Sequence, residues 1–90
     1  MKTVLPLLAE YFGTFLLSLA YLSSASILWL GVIFSVVLFL TIPISGGCIN
    51  PAISLIKYLN GNLGTTELAL YVAVQMLAGI SSFYVFKLLA

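Results

Sequence analysis

A short polar stretch inside an otherwise apolar sequence limits most strongly what this chain can fold into: residues 45–55, SGGCINPAISL. Asn50 suits the N-cap of a helix, because its side-chain oxygen can accept a hydrogen bond from a free amide of the first turn. Pro51 suits the first helical position, where a missing N–H costs nothing. Gly46 and Gly47 allow backbone conformations closed to other residues and let another group approach closely. The stretch predicts a loop that leads directly into a helix.

The predicted helix is too short to cross a membrane. It is expected to end near Asn60 and Gly61, a pair typical of helix C-termini. About ten residues at 1.5 Å each give roughly 15 Å, half of the ~30 Å hydrocarbon core. The chain has 90 residues, of which 63% are hydrophobic and 6% are charged, more apolar material than a small soluble domain can bury. We therefore expect an integral membrane protein in which residues 43–60 form a re-entrant loop and half-helix.

Three longer apolar segments accompany the half-helix, at about residues 4–22, 27–42 and 67–90. The polar break between the first two is short and predicts antiparallel neighbouring helices, and Pro43 is expected to stop the second helix. The N-terminal run also resembles a cleavable signal peptide, but it is long and contains Glu10, so we expect it to be retained. The prediction is a single all-α, multi-pass membrane domain over residues 1–90 with three transmembrane helices and one re-entrant half-helix.

Polar side chains recur at helical spacing in two of these segments, as a stripe of Glu10, Thr14, Ser18 and Tyr21 and a second stripe of Tyr71, Gln75, Gly79 and Ser82. Such stripes should face protein or water rather than lipid. A carboxylate at membrane depth needs donors, and a re-entrant loop has backbone amides that need acceptors. We therefore interpret Glu10 as a brace for the backbone of residues 46–50, in preference to a proton relay, and Gln75 as a second brace. Thr14, Ser18 and Ser82 are interpreted as packing contacts.

Two pairs of small residues support close helix packing. The pairs are Ala9 with Gly13 and Ala69 with Ala73, each at the four-residue spacing that lets membrane helices approach.

Charge and composition argue against several functions. A net charge of +1 gives no footprint for nucleic acid. One cysteine and no histidine exclude an internal disulfide and a cysteine-based metal cluster. The sequence contains no phosphate-binding loop and no catalytic constellation, so we expect neither an enzyme nor a metal or other cofactor.

Three motifs together resemble the aquaporins, the major intrinsic protein family. Residues 45–55 resemble the Asn-Pro-Ala loop of that family, and residues 9–14, AEYFGT, look like its first-helix Ala-Glu-x-x-Gly-Thr motif. Residues 71–79, YVAVQMLAG, are similar to its third-helix Ala-Gln-x-x-Gly pattern. Family members ordinarily hold two such halves, inverted relative to each other, and this sequence contains one of them.

The resemblance implies a passive channel for water and for small neutral solutes such as glycerol or ammonia, with Asn50 at the pore centre. The Asn50 NH₂ group would bind a passing oxygen, and a ladder of acceptors would come from the carbonyls of Gly46, Gly47, Cys48 and Ile49. The positive end of a half-helix disfavours cations and protons.

An inverted homodimer would complete the pore, with Pro51 and Ala52 of the two copies meeting near the bilayer centre. The family further implies a tetramer of such pores. Lys2 and Lys57 are expected on one membrane face and Lys87 on the other, a weak bias that permits insertion in both orientations.

The sequence departs from the family pattern at three pore positions. Cys48 stands where a first half usually has histidine, Ile53 where a second half usually has the filter arginine, and Leu30 where the filter is commonly aromatic. A symmetric dimer is expected to have a more apolar and wider constriction that rejects glycerol or ammonia less strongly. Two alternatives stay open here. Leu30 is also compatible with a position facing lipid. Cys48 is compatible either with an inert small hydrophobe or with a pore-lining thiol.

Two other functions also remain open at this point. One is a non-conducting structural or regulatory half-subunit that needs a complementary partner. The other is a dual-topology transporter of small solutes or ions.

Overall fold

The computed structural model describes residues 4–23 and 26–89, and its regular structure in these ranges is entirely helical. The helices are, in chain order, α1 (Val4–Leu22), α2 (Ile27–Ser45), α3 (Pro51–Leu59) and α4 (Thr65–Leu89). Helices α1, α2 and α4 are each long and apolar enough to cross a membrane. The prediction of an all-helical chain with three membrane-length helices is confirmed, and these helices indicate a membrane protein.

Helix α2 continues past the proline that was expected to end it. Pro43 lies inside the helix, which runs to Ser45, so the predicted end at residue 42 is wrong. A proline inside a helix removes one N–H donor and crowds the carbonyl four residues earlier, and α2 nevertheless continues through Pro43. The helix ends instead at Gly46, which has a φ of 89° and donates its N–H to the carbonyl of Ile42 at 3.0 Å. Glycine takes this left-handed conformation without a steric penalty, and it therefore fixes the end of the helix.

Helix α4 begins two residues before the predicted start at residue 67. The carbonyl of Gly64 accepts the first intrahelical bond from the N–H of Leu68 at 2.8 Å. The carboxylate of Glu67 reaches back and accepts a hydrogen bond from the N–H of Gly64 at 3.0 Å. This is half of a capping box, and the negative charge in the first turn suits the positive end of the helix dipole.

The short helix α3 has well-defined caps at both ends. At its start, the Asn50 side chain accepts a hydrogen bond from the N–H of Ile53 at 2.9 Å, and Pro51 occupies the first helical position. At its end, Gly61 has a φ of 81° and donates to the carbonyl of Tyr58 at 3.0 Å. These contacts confirm the predicted caps, and they confine the helix to nine residues.

Helix α1 lies at the centre of the fold because it packs against both α2 and α4, whereas α3 packs against α4. Gly13 allows the close approach of α1 and α2: a Cβ at this position would lie 3.1 Å from Thr41 Cγ2 and 3.2 Å from Val37 Cγ1. The predicted small-residue contact is therefore present at Gly13. The predicted contact at Ala69 and Ala73 is absent from the described part of the chain, because both residues are exposed there.

The distribution of polar and apolar side chains is the reverse of that in a water-soluble protein. Glu10, Ser54 and Ser82 are completely buried. Large apolar side chains lie on the outside, with Ile27 91% exposed and Leu88 86% exposed. Buried polar groups need hydrogen-bond partners, and exposed apolar groups need an apolar environment. This arrangement suits a protein surrounded by lipid.

Candidate functional site

The candidate site is the Asn50 loop, residues 46–50, which joins α2 to α3. Its backbone turns sharply: φ is 89° at Gly46, 66° at Gly47 and 61° at Ile49. The N–H of Asn50 donates to the carbonyl of Cys48 at 2.7 Å, which closes a γ-turn centred on Ile49. A β-branched residue rarely adopts a positive φ, so this conformation is strained and requires support from its surroundings.

Two side chains of α1 hold Ile49 in this conformation. The carboxylate of Glu10 accepts a hydrogen bond from the N–H of Ile49 at 2.7 Å. One turn further along α1, the hydroxyl of Thr14 donates to the carbonyl of Ile49 at 3.1 Å. The interpretation of Thr14 as a packing contact is therefore wrong, because its hydroxyl bonds to the loop instead of to its own helix.

The Glu10 carboxylate is the centre of the hydrogen-bond network. Besides the bond from Ile49, it accepts bonds from the Ser45 hydroxyl at 2.5 Å, the Cys48 N–H at 3.2 Å and the Gln75 side-chain amide at 2.7 Å. Four donors match the acceptor capacity of an ionised carboxylate, which has no proton to donate. This geometry supports Glu10 as a brace of the loop. The four donors belong to α2, to the loop and to α4.

Gln75 extends the same network to the first turn of α3. Its NH₂ group donates both to Glu10 and to the hydroxyl of Ser54 at 2.8 Å, and that hydroxyl donates to the carbonyl of Asn50 at 2.9 Å. The side-chain oxygen of Gln75 is buried without a hydrogen-bond partner in the described residues. Sequence reasoning missed Ser54, although its position four residues after Asn50 in an apolar helix was a usable signal.

The carbonyl of Ser45 receives two further donors where the chain enters the loop. The hydroxyl of Tyr71 lies 3.2 Å from this oxygen, and the ammonium nitrogen of Lys57 lies 3.4 Å from it. Both donors satisfy one of the last carbonyls of α2, which the helix itself leaves unpaired. Sequence reasoning placed Tyr71 on a polar stripe but assigned it no role, and it treated Lys57 only as a marker of membrane orientation.

Asn50 is exposed, and only the oxygen of its side-chain amide bonds to the described residues. The side-chain oxygen is occupied by the cap of α3, whereas the NH₂ group has no partner within the described ranges. Asn50, Pro51, Ala52 and Ile53 are all exposed, and they form one continuous surface at the start of α3. The predicted pore residues at the helix N-terminus are therefore brought together on an open face.

The predicted ladder of four carbonyls is only half available. The carbonyl of Cys48 accepts from Asn50 within the γ-turn, and the carbonyl of Ile49 accepts from Thr14. The carbonyls of Gly46 and Gly47 have no donor among the residues that the structure describes. The turn and Thr14 occupy the other two acceptors, and of the two glycines Gly46 is exposed whereas Gly47 is buried.

Cys48 is buried inside the chain. Its side chain is 2% exposed and packs with Leu63 and Tyr71. A thiol in this position fills space between the loop and α4, as a small apolar side chain would. The geometry supports the interpretation of Cys48 as an inert hydrophobe over that of a pore-lining thiol.

Leu30 lies far from the Asn50 loop. It lines a groove of about 690 Å³ that also includes Ser18, Gly31 and Gly79 and is referred to below as the far groove. Added Cβ atoms at Gly31 and Gly79 would meet nothing within 4 Å, so the groove is open at both glycines. Glu10 pairs with Gln75 about one turn before the far groove, which lies further towards the C-terminal ends of α1 and α4. The structure thus separates Leu30 from Asn50 of the same chain.

The described residues contain no group of three His, Cys, Asp or Glu side chains that could hold a metal ion. The charged and polar groups of the site instead bond to one another and to the backbone of the loop. Comparisons with protein-family models, curated proteins and solved structures find no match to this chain.

Proposed function

We propose that this chain is a subunit of a passive membrane channel for water and small neutral solutes such as glycerol or ammonia. The observation that carries the proposal is the Asn50 loop, in which the NH₂ group of the exposed Asn50 and the carbonyl of the exposed Gly46 both lack a partner among the described residues. A loop that offers an exposed donor and an exposed acceptor suits molecules that both give and accept hydrogen bonds. Such a surface binds a hydroxyl or amine solute without needing a charge on it.

In this proposal α3 is a re-entrant half-helix of an aquaporin half-fold. Nine residues extend about 14 Å, too little to cross a hydrocarbon core of ~30 Å. Thr14 lies ten residues beyond the start of α1, or about 15 Å along a helix of about 28 Å, so it is close to the middle of that span. Because Thr14 bonds to Ile49, the start of α3 lies at mid-membrane depth if α1 spans the bilayer.

The electrostatics of the site support neutral solutes. The N-terminus of α3 carries a partial positive charge from its unpaired amides, which disfavours cations. The carboxylate of Glu10 lies behind the loop and is saturated by four donors, so it holds the backbone in place without being exposed to a passing solute. The helix terminus and the buried carboxylate bind no energy source such as a nucleotide. This is compatible with passive flow of the solute.

A second set of helices is required to close the pore, because Asn50 and the residues after it lie on an open face. We propose that a second, inverted copy of the chain provides them and that such dimers assemble further into a tetramer of pores. An inverted copy would bring its own α3 to the end of the bundle where the far groove lies, and Leu30 would then line the same pore. Lys57 and Lys87 lie at opposite ends of the bundle, so the distribution of lysines gives little preference for one orientation in the membrane. Lys2, which was expected on the same membrane face as Lys57, lies outside the described residues.

The test is the osmotic water permeability of proteoliposomes that contain only the purified chain. We expect a permeability above that of empty liposomes, and we expect Asn50→Asp to lower it strongly. Aspartate keeps the oxygen that caps α3 but replaces the NH₂ donor with a negative charge. Equal permeability of loaded and empty vesicles would refute the homomeric channel, and labelling of Lys57 from one membrane face only would refute the inverted dimer.

A further inference from the structure

We propose that the far groove binds one acyl chain of an anionic phospholipid, whose phosphate contacts the ammonium group of Lys87. The inference goes beyond the proposed channel and does not depend on it. The groove lies between α1, α2 and α4, and most of its lining is apolar, including Leu17, Leu30 and Phe34. An open apolar groove between membrane-length helices must be filled, because an empty space would deprive its lining of contacts.

The groove is open to the lipid that surrounds the bundle. Leu17 and Leu30 are half-buried and form its floor, whereas Ile27, Phe34 and Phe83 are exposed and form its rim. A flexible chain can therefore enter the groove from the side. An acyl chain suits this slot because it is apolar along its length and is the most abundant component at this depth of a membrane.

The depth of the groove matches a single leaflet. On α2 the groove runs from Ile27, the first residue of the helix, to Phe34, seven residues or about 10 Å further along the axis. Half of a hydrocarbon core of ~30 Å is about 15 Å. The groove begins at a helix end, so an acyl chain of the adjacent leaflet can lie in it while the headgroup stays at the membrane surface.

A cation lies at the mouth of the groove. The ammonium nitrogen of Lys87 is 5.6 Å from the centroid of the Phe83 ring, and Phe83 lines the groove. Lys87 follows Thr65, the first residue of α4, by 22 residues or about 33 Å, which is longer than the ~30 Å hydrocarbon core. If α4 begins at one membrane surface, this ammonium group lies at the level of the phosphates of the other. The exposed Tyr21 also lines the groove at this end, and tyrosine favours the membrane–water interface.

The charge of Lys87 has no acidic partner in the described chain. The sequence contains two acidic residues, Glu10 and Glu67. Glu10 accepts its four hydrogen bonds around the Asn50 loop, and Glu67 lies in the first turn of α4, 20 residues or about 30 Å from Lys87. A lipid phosphate supplies a negative charge and acceptor oxygens for the three N–H donors of the lysine. A zwitterionic headgroup supplies no net charge, so the groove should favour an anionic lipid.

The lipid is the occupant of the single chain. In the proposed dimer, the α3 helix of an inverted copy would approach the same end of the bundle. Assembly of the dimer would therefore displace the lipid from the groove.

The test is native mass spectrometry of the purified chain in detergent micelles that contain equal amounts of phosphatidylglycerol and phosphatidylcholine with the same acyl chains. We expect single wild-type chains to retain phosphatidylglycerol about fivefold more often than phosphatidylcholine, the effect of one lysine near a lipid phosphate. Lys87→Gln should retain the two lipids equally, and Lys87→Arg should keep the preference because it keeps the charge.

Gly79→Leu tests the groove itself. A Cβ added at Gly79 would meet nothing within 4 Å, so the leucine side chain has room to occupy the groove in place of the lipid. We expect the retention of both lipids to fall about tenfold. Ala73→Leu is the matched control, because it places a leucine on the same helix at an exposed position outside the groove, and it should retain lipid as the wild type does.

A second measurement avoids any effect of a substitution on folding. Acetylation of the wild-type protein neutralises its accessible lysines in place, whereas in Lys87→Arg it leaves the charge at this position. We expect acetylation to abolish the preference for phosphatidylglycerol in the wild type and to leave it unchanged in Lys87→Arg.

Equal retention of the two lipids by the wild type would overturn the proposal, and so would a Gly79→Leu variant that retains as much lipid as Ala73→Leu. If single wild-type chains retain no lipid while a dimer forms that Gly79→Leu abolishes, the occupant is a second copy and the proposal fails. None of these measurements depends on water permeability, so the failure of the lipid site and the failure of the channel are distinguishable.

Discussion

Glu10→Gln replaces a single atom of the side chain that holds the Asn50 loop, and its consequences can be worked out bond by bond. In the better of the two amide orientations, the new NH₂ group faces Ser45 and Cys48. The Ser45 hydroxyl can turn to accept from it, but the N–H of Cys48 loses its acceptor at a cost of about 1–3 kcal/mol. The bonds from Ile49 and Gln75 lose their charge assistance, about 1 kcal/mol each.

These losses are partly offset because a carboxylate no longer has to be buried. We expect a net destabilisation of the loop of about 3 kcal/mol, which corresponds to roughly a hundredfold faster exchange of its amide hydrogens. The assay is hydrogen exchange with mass spectrometry on peptides that cover residues 46–50, accompanied by water permeability, which should fall as the loop opens.

Glu67→Gln is the matched control for this experiment. Glu67 is exposed and bonds to the N–H of Gly64, and a glutamine oxygen can accept the same bond. We expect the exchange of the loop to stay at the wild-type rate in this variant. If Glu10→Gln also left the loop at the wild-type rate, the network around Glu10 would not be what holds Ile49 in its strained turn.

Three further perturbations test the geometry of the fold. Gly47→Ala should destabilise the protein by about 2 kcal/mol, because φ is 66° there and the new Cβ would lie 2.6 Å from Ile42 Cγ1. Gly31→Ala should instead stabilise α2 by up to about 1 kcal/mol, since its Cβ would meet nothing within 4 Å. Thermal unfolding in detergent compares the two variants with the wild type. Equal effects of the two substitutions on the unfolding temperature would contradict this reasoning. A membrane-permeant thiol reagent should leave water permeability unchanged because Cys48 is 2% exposed; rapid inhibition would show that the thiol lines the pore.

The sequence predicts the ionisable and amide members of the site well and the hydroxyl members poorly. Glu10 and Gln75 are costly in an apolar helix unless they have partners, so their presence alone indicates a polar network. A hydroxyl can satisfy itself on the preceding turn of its own helix, as Thr41 does with the carbonyl of Val37 and Ser35 with that of Gly31. Thr14 instead bonds to the loop, and no local feature of the sequence separates it from Thr41.

Sequence reasoning supplied some of the backbone geometry and missed other parts of it. The caps of α3 follow from Asn50, Pro51 and Gly61, because their conformational preferences are local. Helix α2, which packs against α1, instead continues through Pro43, so a proline does not by itself decide where this helix ends. The γ-turn at Ile49 could not be predicted either, because its positive φ is imposed by contacts with a helix about 35 residues earlier in the chain.

The brace that α1 provides for Ile49 also has a consequence for the order of assembly in the membrane. Helix α3 is short, and in the loop before it the N–H groups of Cys48 and Ile49 depend on the Glu10 carboxylate for an acceptor. In lipid these amides would be too costly to leave unpaired. In the proposed arrangement the loop can therefore leave the membrane surface only after α1 and α4 have inserted and paired Glu10 with Gln75. Biogenesis would proceed in two stages, in which three helices insert first and the segment that forms the pore folds inward last.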